Sequence, residues 1–255
     1  MLQSLSAALA EISLPQLALI AGIALIASVI GGVAGYGTGA LMPLVLVPIV
    51  GAEPVVPILS LSALLTNTGR ATAFWSLVDG RRALIVLLAA VPTCVLGAWG
   101  YTMLTGKGAA LVIGAILIAT VPLRRLMRRR GLALSSRGLA AASFGWGPLA
   151  GGTVGAGILL LSLLMAAGLE GAAVVATDAV ISIGIGLAKV TTFGLAGVVN
   201  ATVVAIALLI GGVAFPGAFL AKRLTERLPL HVHTAILDAV VIAGGAAMIL
   251  NAFAR

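Results

Sequence analysis

The stretch Gly31-Gly32-Val33-Ala34-Gly35-Tyr36-Gly37-Thr38-Gly39 and its echo Gly151-Gly152-Thr153-Val154-Gly155-Ala156-Gly157 decide how the chain is read. They lie inside apolar runs at 16–50 and 138–168, of 35 and 31 residues. The first would be about 52 Å long as one helix, against a hydrocarbon core of about 30 Å. Each run must therefore be divided. Glycine at this density opposes a regular helix, because ordering it costs much backbone entropy and it brings no side chain to pack. In hydrocarbon a break frees N–H and C=O groups that only protein or a wet cavity can satisfy. Two such breaks in matching halves point to a transport site. The competing reading is that the glycines serve close helix packing, as small-residue motifs do.

Composition places the breaks in a membrane protein. The 255 residues are 61% hydrophobic and 9% charged, with a mean hydropathy of +1.23, so a soluble core would lack polar covering. The class is an all-α polytopic membrane protein. The net charge of +8 is gathered into a few joints, which fits topology and lipid headgroups rather than nucleic acid. The one basic cluster is a short loop without interleaved aromatics, so no nucleic-acid partner is expected. A single cysteine, Cys94, excludes an intrachain disulfide. Residues 1–15 carry no Lys or Arg and lack the basic start of a cleaved signal peptide, so retention is expected.

Further apolar runs lie at 55–78, 83–104, 108–123, 171–198, 200–221 and 231–253. Splitting the two long runs at their glycines gives ten segments, five per half, the first two of each half short or broken. A weak internal repeat keeps register with this division: Phe74 matches Phe193, Arg70 matches Lys189, Gly97-Ala98 matches Gly217-Ala218, and Asp79 falls opposite Asn200. Residues 1–130 form the first membrane repeat and 131–255 the second. An odd number of segments inverts the second copy, whereas eight full spans would leave the repeats parallel. With Arg124, Arg125, Arg128, Arg129, Arg130 and Arg137 cytoplasmic, the inverted arrangement puts eleven basic residues inside against Lys107 and Arg255 outside. The parallel one gives nine and four. Inversion is favoured, with both termini outside.

Two cations lie within apolar runs, Arg70 and Lys189, and a cation at mid-membrane costs about 2.5–3.5 kcal/mol on insertion scales. Either an internal carboxylate or a transported anion must compensate. Asp178 and Asp238 fall at roughly the depth of Arg70, so an ion pair and an anion site are both open there. Lys189 has no acid at its depth, which favours an anion path, with snorkelling to the headgroups as the competitor. The two carboxylates are also candidates for carrying a coupling proton. Asn67, Thr66 and Thr68 lie within a turn of Arg70, and Ser182 and Thr191 near Lys189; such groups either bind substrate or satisfy backbone carbonyls. Glu53 and Glu170 occupy matching joints and read as solvated or helix-start charges. Where helices restart after each break, free N–H groups and the positive dipole end suit an anion. That engages Gly37, Thr38 and Gly39 in one half and Thr153, Gly155 and Gly157 in the other.

The opening Gly-Gly-Val-Ala-Gly-Tyr-Gly-Thr-Gly-Ala-Leu-Met-Pro-Leu-Val-Leu-Val-Pro at 31–48, followed by an aliphatic segment ending at Asp79 with a basic joint, resembles the TauE/SafE sulfite exporter family. The second Gly-rich opening from 151, Val-Ala-Thr-Asp at 175–178 and Gly-Val-Val-Asn at 197–200 fit the same duplicated plan. Asp178 and Asn200 stand where the family more often has Ser and Asp. The resemblance implies a bacterial inner-membrane permease, most often an exporter, of sulfite, sulfoacetate or other organosulfonates.

The expected function is therefore a secondary transporter of small sulfur-containing anions by alternating access, its site between the halves. The expected partners are the anion, the lipid bilayer and a coupling proton or sodium ion; a homodimer stays open. No cofactor or metal is expected: no phosphate-loop signature is present, and His231 and His233, two apart, do not share a helix face. An intramembrane enzyme lacks a Ser/His or His/Asp constellation. An anion channel, a cation-coupled permease of another organic anion, and a cation or metal permease using Asp178 and Asp238 are the alternatives.

Overall fold

The computed structural model describes residues 10, 12–34, 37–129, 133–225, 242 and 244–253. Their regular elements are all helical: α1 (Leu14–Ala34), α2 (Thr38–Val50), α3 (Val55–Ala73), a single 3-10 turn (Trp75–Leu77), α4 (Gly80–Thr102) and α5 (Gly106–Arg129). The second half continues with α6 (Ser136–Gly152), α7 (Gly157–Ala166), α8 (Ala172–Leu195), α9 (Ala201–Thr225) and α10 (Gly244–Phe253). Five of these are long and apolar enough to cross a membrane: Leu14–Gly31, Gly80–Thr102, Gly106–Met127, Ala172–Leu195 and Ala201–Ala221.

Both long apolar runs divide at their glycines. The first gives α1 and α2. The second gives α6 and α7, separated by Thr153–Ala156. On the upstream side α1 is 21 residues long, a full crossing by itself, whereas α2 and α7 have 13 and 10 residues. The helices start on local side-chain signals. Asp79 accepts from the Arg82 amide at 2.8 Å, Ser135 from Gly138 at 3.2 Å and Asn200 from Val203 at 2.9 Å, each relieving an amide with no acceptor inside its helix. Glu53 lies against Gly106, the first residue of α5, where a negative charge suits the helix dipole.

The main packing pairs are α4 with α6, α1 with α9, α3 with α8 and α9, and α4 with α8. Small residues set the closest crossings. Gly147 and Gly151, four apart on α6, touch the α4 backbone; a Cβ would stand 2.6 Å from the Ala90 carbonyl oxygen or 2.7 Å from the Ala98 nitrogen. Gly97 on α4 meets Pro148 in the same crossing, and Gly217 on α9 meets Ser28 of α1, whose hydroxyl donates to the Ala214 carbonyl. This is the close approach that GxxxG spacing permits in lipid. Gly151 thus serves packing, and the break begins two residues later. The short α7 sits innermost, with Ile158–Leu164 all buried. Leu84, Leu88, Leu96 and Leu195 are exposed, as the lipid-facing side of a membrane helix should be.

Candidate functional site

The two breaks meet. A Cβ built on Gly39, in the first turn of α2, would lie 3.2 Å from the nitrogen of Gly155 in the α6–α7 break. Gly155 has φ +84°, a left-handed conformation that glycine adopts without steric cost. Gly37 is packed so closely on α1 that a side chain would overlap the Ala27 carbonyl. The indole Nε1 of Trp146 donates to the Ala156 carbonyl at 2.9 Å, anchoring the turn that leads into α7. Helices α2 and α7 therefore start next to each other, and neither has a side-chain cap. In their first turns the Ala40, Ile158 and Leu159 amides donate to the Gly37, Gly155 and Ala156 carbonyls, which leaves the N–H groups of Thr38, Gly39 and Gly157 without an acceptor in the helix.

Around these two starts lies a cavity of about 160 Å³, close to the roughly 150 Å³ of an engineered cavity that takes one benzene. It suits a small solute. The hydroxyl candidates Thr66 and Ser182 line it and Thr68 and Thr191 do not. Of the eleven other residues read as binding or coupling groups, ten line it: Gly37, Thr38, Gly39, Asn67, Arg70, Thr153, Gly155, Gly157, Asp178 and Lys189. The eleventh, Asp238, lies outside the described residues.

The charged groups come from the crossing pair α3 and α8. Arg70 forms an ion pair with Asp178, Nη2 to Oδ2 at 3.0 Å. Its Nε also donates to Asn67 Oδ1 at 3.0 Å and its Nη1 reaches the Gly31 carbonyl at 3.5 Å. The sequence left Arg70 between an ion pair and a substrate path; the structure gives it a carboxylate partner and a place on the cavity wall together. Asp178 is 2% exposed, and its second oxygen, Oδ1, has no hydrogen-bond partner among the described residues.

Lys189 is 6% exposed. Its ammonium donates to the Thr153 carbonyl at 2.9 Å, an acceptor in the α6–α7 break. Among the described residues it forms no ion pair. It does not snorkel to an interface, since its charged end is held at the break. Two cations and one carboxylate leave the lining one positive charge in excess. Among the described residues no three His, Cys, Asp or Glu side chains gather as metal ligands do, so the wall offers cations, hydroxyls, amides and helix starts.

The hydroxyls divide by role. Thr66 and Thr68 turn back to the Ala63 and Leu64 carbonyls at 3.3 and 2.6 Å, and Ser60 and Ser62 to Val56 and Leu59 at 2.6 and 3.2 Å, the usual fate of such groups in membrane helices. Thr66, Ser60, Ser62 and Ser182 still present their lining atoms to the cavity. The residues that sequence reasoning missed are Trp146, Ser28, Ser60 and Ser62. Trp146 alone carried a signal: an indole N–H buried in a glycine-rich run needs an acceptor, and a break provides one.

Compared with known families, residues 20–248 match the family described as sulfite exporter TauE/SafE. No curated protein and no solved structure matches the chain.

Proposed function

Because the chain belongs to the sulfite exporter TauE/SafE family, we propose that it is a secondary transporter exporting small sulfur-containing anions, sulfite or organosulfonates, by alternating access. It is a multi-pass membrane protein of a transporter family, and its proposed location is the bacterial inner membrane. The family supplies the sulfur chemistry. The residues supply a reason for an anion to bind.

The observation that carries the reading is Lys189: a buried cation with no ion-pair partner among the described residues, on the wall of a cavity into which two uncapped helix starts open. An unneutralised charge in hydrocarbon is costly, and an anion beside it lowers that cost. Arg70 is paired with Asp178, which precedes Lys189 by eleven residues on α8, about 16 Å of helix rise, so the two cations are read as successive positions rather than one clamp. The helix starts between them add N–H donors without formal charge.

We propose further that residues 1–130 and 131–255 are inverted repeats. What supports the duplication is the packing, since exchanging the halves turns the α4–α6 contact into α9–α1, and α3–α9 into α8–α4. What supports the inversion is the odd number of described helices in each half and the side on which the basic residues fall. Matched residues also do matched work. Asp79 and Asn200 both cap, and Gly97 and Gly217 both sit at a crossing. Rocking one half against the other would open the cavity to each side in turn.

Sulfite efflux from proteoliposomes tests the function. Uphill movement driven by a second ion gradient supports a transporter over an anion channel. Binding that follows a metal or other cation, with no competition by sulfite, would overturn the anion reading. Fusion reporters at both ends test the inverted topology, which fails if either end reads cytoplasmic.

A further inference from the structure

Asp178 is held in an unfinished state. One carboxylate oxygen is paired with Arg70, and the other is buried on the cavity wall with no partner among the described residues. An ionised carboxylate is acceptor-only, so Oδ1 offers the cavity only an acceptor. The guanidinium opposite also serves Asn67 and the Gly31 carbonyl. The pair is close to neutral as it stands. A substrate anion arriving at Arg70 would raise the local charge to one negative in a lipid-shielded place, where uncompensated charge is expensive.

Resting on the anion-transport reading above, we propose that Asp178 is the coupling residue: an anion that binds at Arg70 displaces its carboxylate, and the carboxylate takes up one proton from water in the same step. Carboxylate plus proton gives carboxylic acid, with no other bond made or broken, and the local charge returns to zero. The proton also reverses what Oδ1 can do. As a hydroxyl it donates, either to an oxygen of the anion or to Ser182, one turn along α8 and on the same wall. Anion and proton then cross together, so export runs down the outward gradient of the anion and carries one proton out with each, and release of the anion restores the ion pair and expels the proton.

Few other charges bear on Asp178. Arg70 faces it from α3. On α8 itself Lys189 is eleven residues away, about 16 Å of helix rise. At the start of α4, Asp79, its cap, and Arg82 pair with each other, and Cys94 and Tyr101 are buried farther along that helix. Among the described residues, α1, α6, α7 and the 3-10 turn place no charged side chain on the cavity wall.

Methanesulfonate is the probe, because its single charge is fixed and it cannot itself take up a proton. Calorimetric titration of the full-length protein in buffers of different ionisation heat counts protons taken up per anion. The expected result at alkaline pH is an uptake approaching one, with affinity falling tenfold per unit of rising pH. Asp178→Asn is expected to bind methanesulfonate with no uptake and no such slope. Sulfite is titrated beside it, the count for Asp178 being the difference between wild type and Asp178→Asn. The wild-type count in paired buffers stands even if that variant folds poorly. Binding with no proton uptake by the wild type, or uptake that persists in Asp178→Asn, overturns the coupling and leaves the anion site intact. No binding of either anion overturns both.

Discussion

Gly39 and Gly155 come together backbone to backbone where the two helix breaks meet, with 3.2 Å between the Gly155 nitrogen and the place a Gly39 Cβ would occupy. The contact joins the start of α2 to the approach to α7, and so fixes the separation of the two N–H clusters that open on the cavity. The two glycines are not equally constrained. At Gly39 a methyl is tight, and its neighbour must yield a few tenths of an ångström. At Gly155 the backbone is left-handed, and a Cβ would also press on Leu117 Cδ2 at 2.6 Å.

Gly155→Ala is therefore expected to lower stability by about 1–2 kcal/mol from conformation alone, and more once Leu117 is displaced. Gly39→Ala should cost less and act mainly on anion affinity, by pushing the breaks apart. Thermal unfolding in detergent, paired with sulfite binding, checks the order. Equal losses at both sites would mean that the left-handed turn is not what Gly155 supplies.

The Arg70–Asp178 pair predicts a non-additive pair of substitutions. Removing one member of a buried pair strands the other and costs about 3–5 kcal/mol, whereas removing both for apolar groups is often near neutral. Asp178→Ala and Arg70→Met should each destabilise strongly, and the double variant should be more stable than Asp178→Ala alone. A double-mutant cycle on unfolding midpoints measures the coupling. Additive losses would show that Asn67 and the Gly31 carbonyl, not Asp178, are what hold Arg70.

How much of this was legible follows from what kind of information each feature needs. The breaks at Gly37 and Gly155 could be read because glycine density and run length are local properties. Asp79 and Asn200 were read only as matching joints of the repeat, and their capping role came with the Arg82 and Val203 amides that they accept from. The partner of Arg70 could not be singled out: depth along a helix admitted Asp178 and Asp238 alike, and only the crossing of α3 with α8 distinguishes Asp178. Gly151 was grouped with the break although it belongs to the α4 crossing, because a packing glycine and a breaking glycine look the same until the neighbour is known. Trp146 carried the signal of an indole N–H in want of an acceptor, but not which acceptor: the carbonyl lies ten residues on, which no periodicity predicts.

Lys189 and Asp178 should respond in opposite ways to neutral substitution. Lys189 carries a buried charge with one backbone acceptor, so Lys189→Met removes a penalty of about 2.5–3.5 kcal/mol on insertion scales and gives up one hydrogen bond. Stability is expected to hold or rise. Sulfite affinity is expected to fall about tenfold to a hundredfold, the range of a charged hydrogen bond worth about 1.5–3 kcal/mol. Measured together, unfolding and binding separate a substrate group from a structural one: a Lys189→Met protein that binds sulfite normally removes this cation from the path.

The joint before α4 predicts an acid-dependent step outside the membrane. Asp79 accepts from the Arg82 amide at 2.8 Å, and this bond, together with the Arg82 guanidinium beside it, outweighs desolvation and holds the carboxyl below its ordinary value. A carboxylate whose folded value is depressed contributes stability that is fully present above its unfolded value, about 3.9. That contribution is lost as pH falls through the lower folded value. Asp79→Asn keeps a capping oxygen but has no such titration, so the wild type should lose stability relative to it below about pH 4. Asp79→Ala, with no cap, should be weaker by about 1 kcal/mol at neutral pH. At the matching joint before α9 the cap is Asn200, which does not titrate. Asn200→Asp should therefore introduce at α9 the acid limb that Asp79→Asn removes at α4, and unfolding midpoints of the two variants across acidic pH should diverge from wild type in opposite directions.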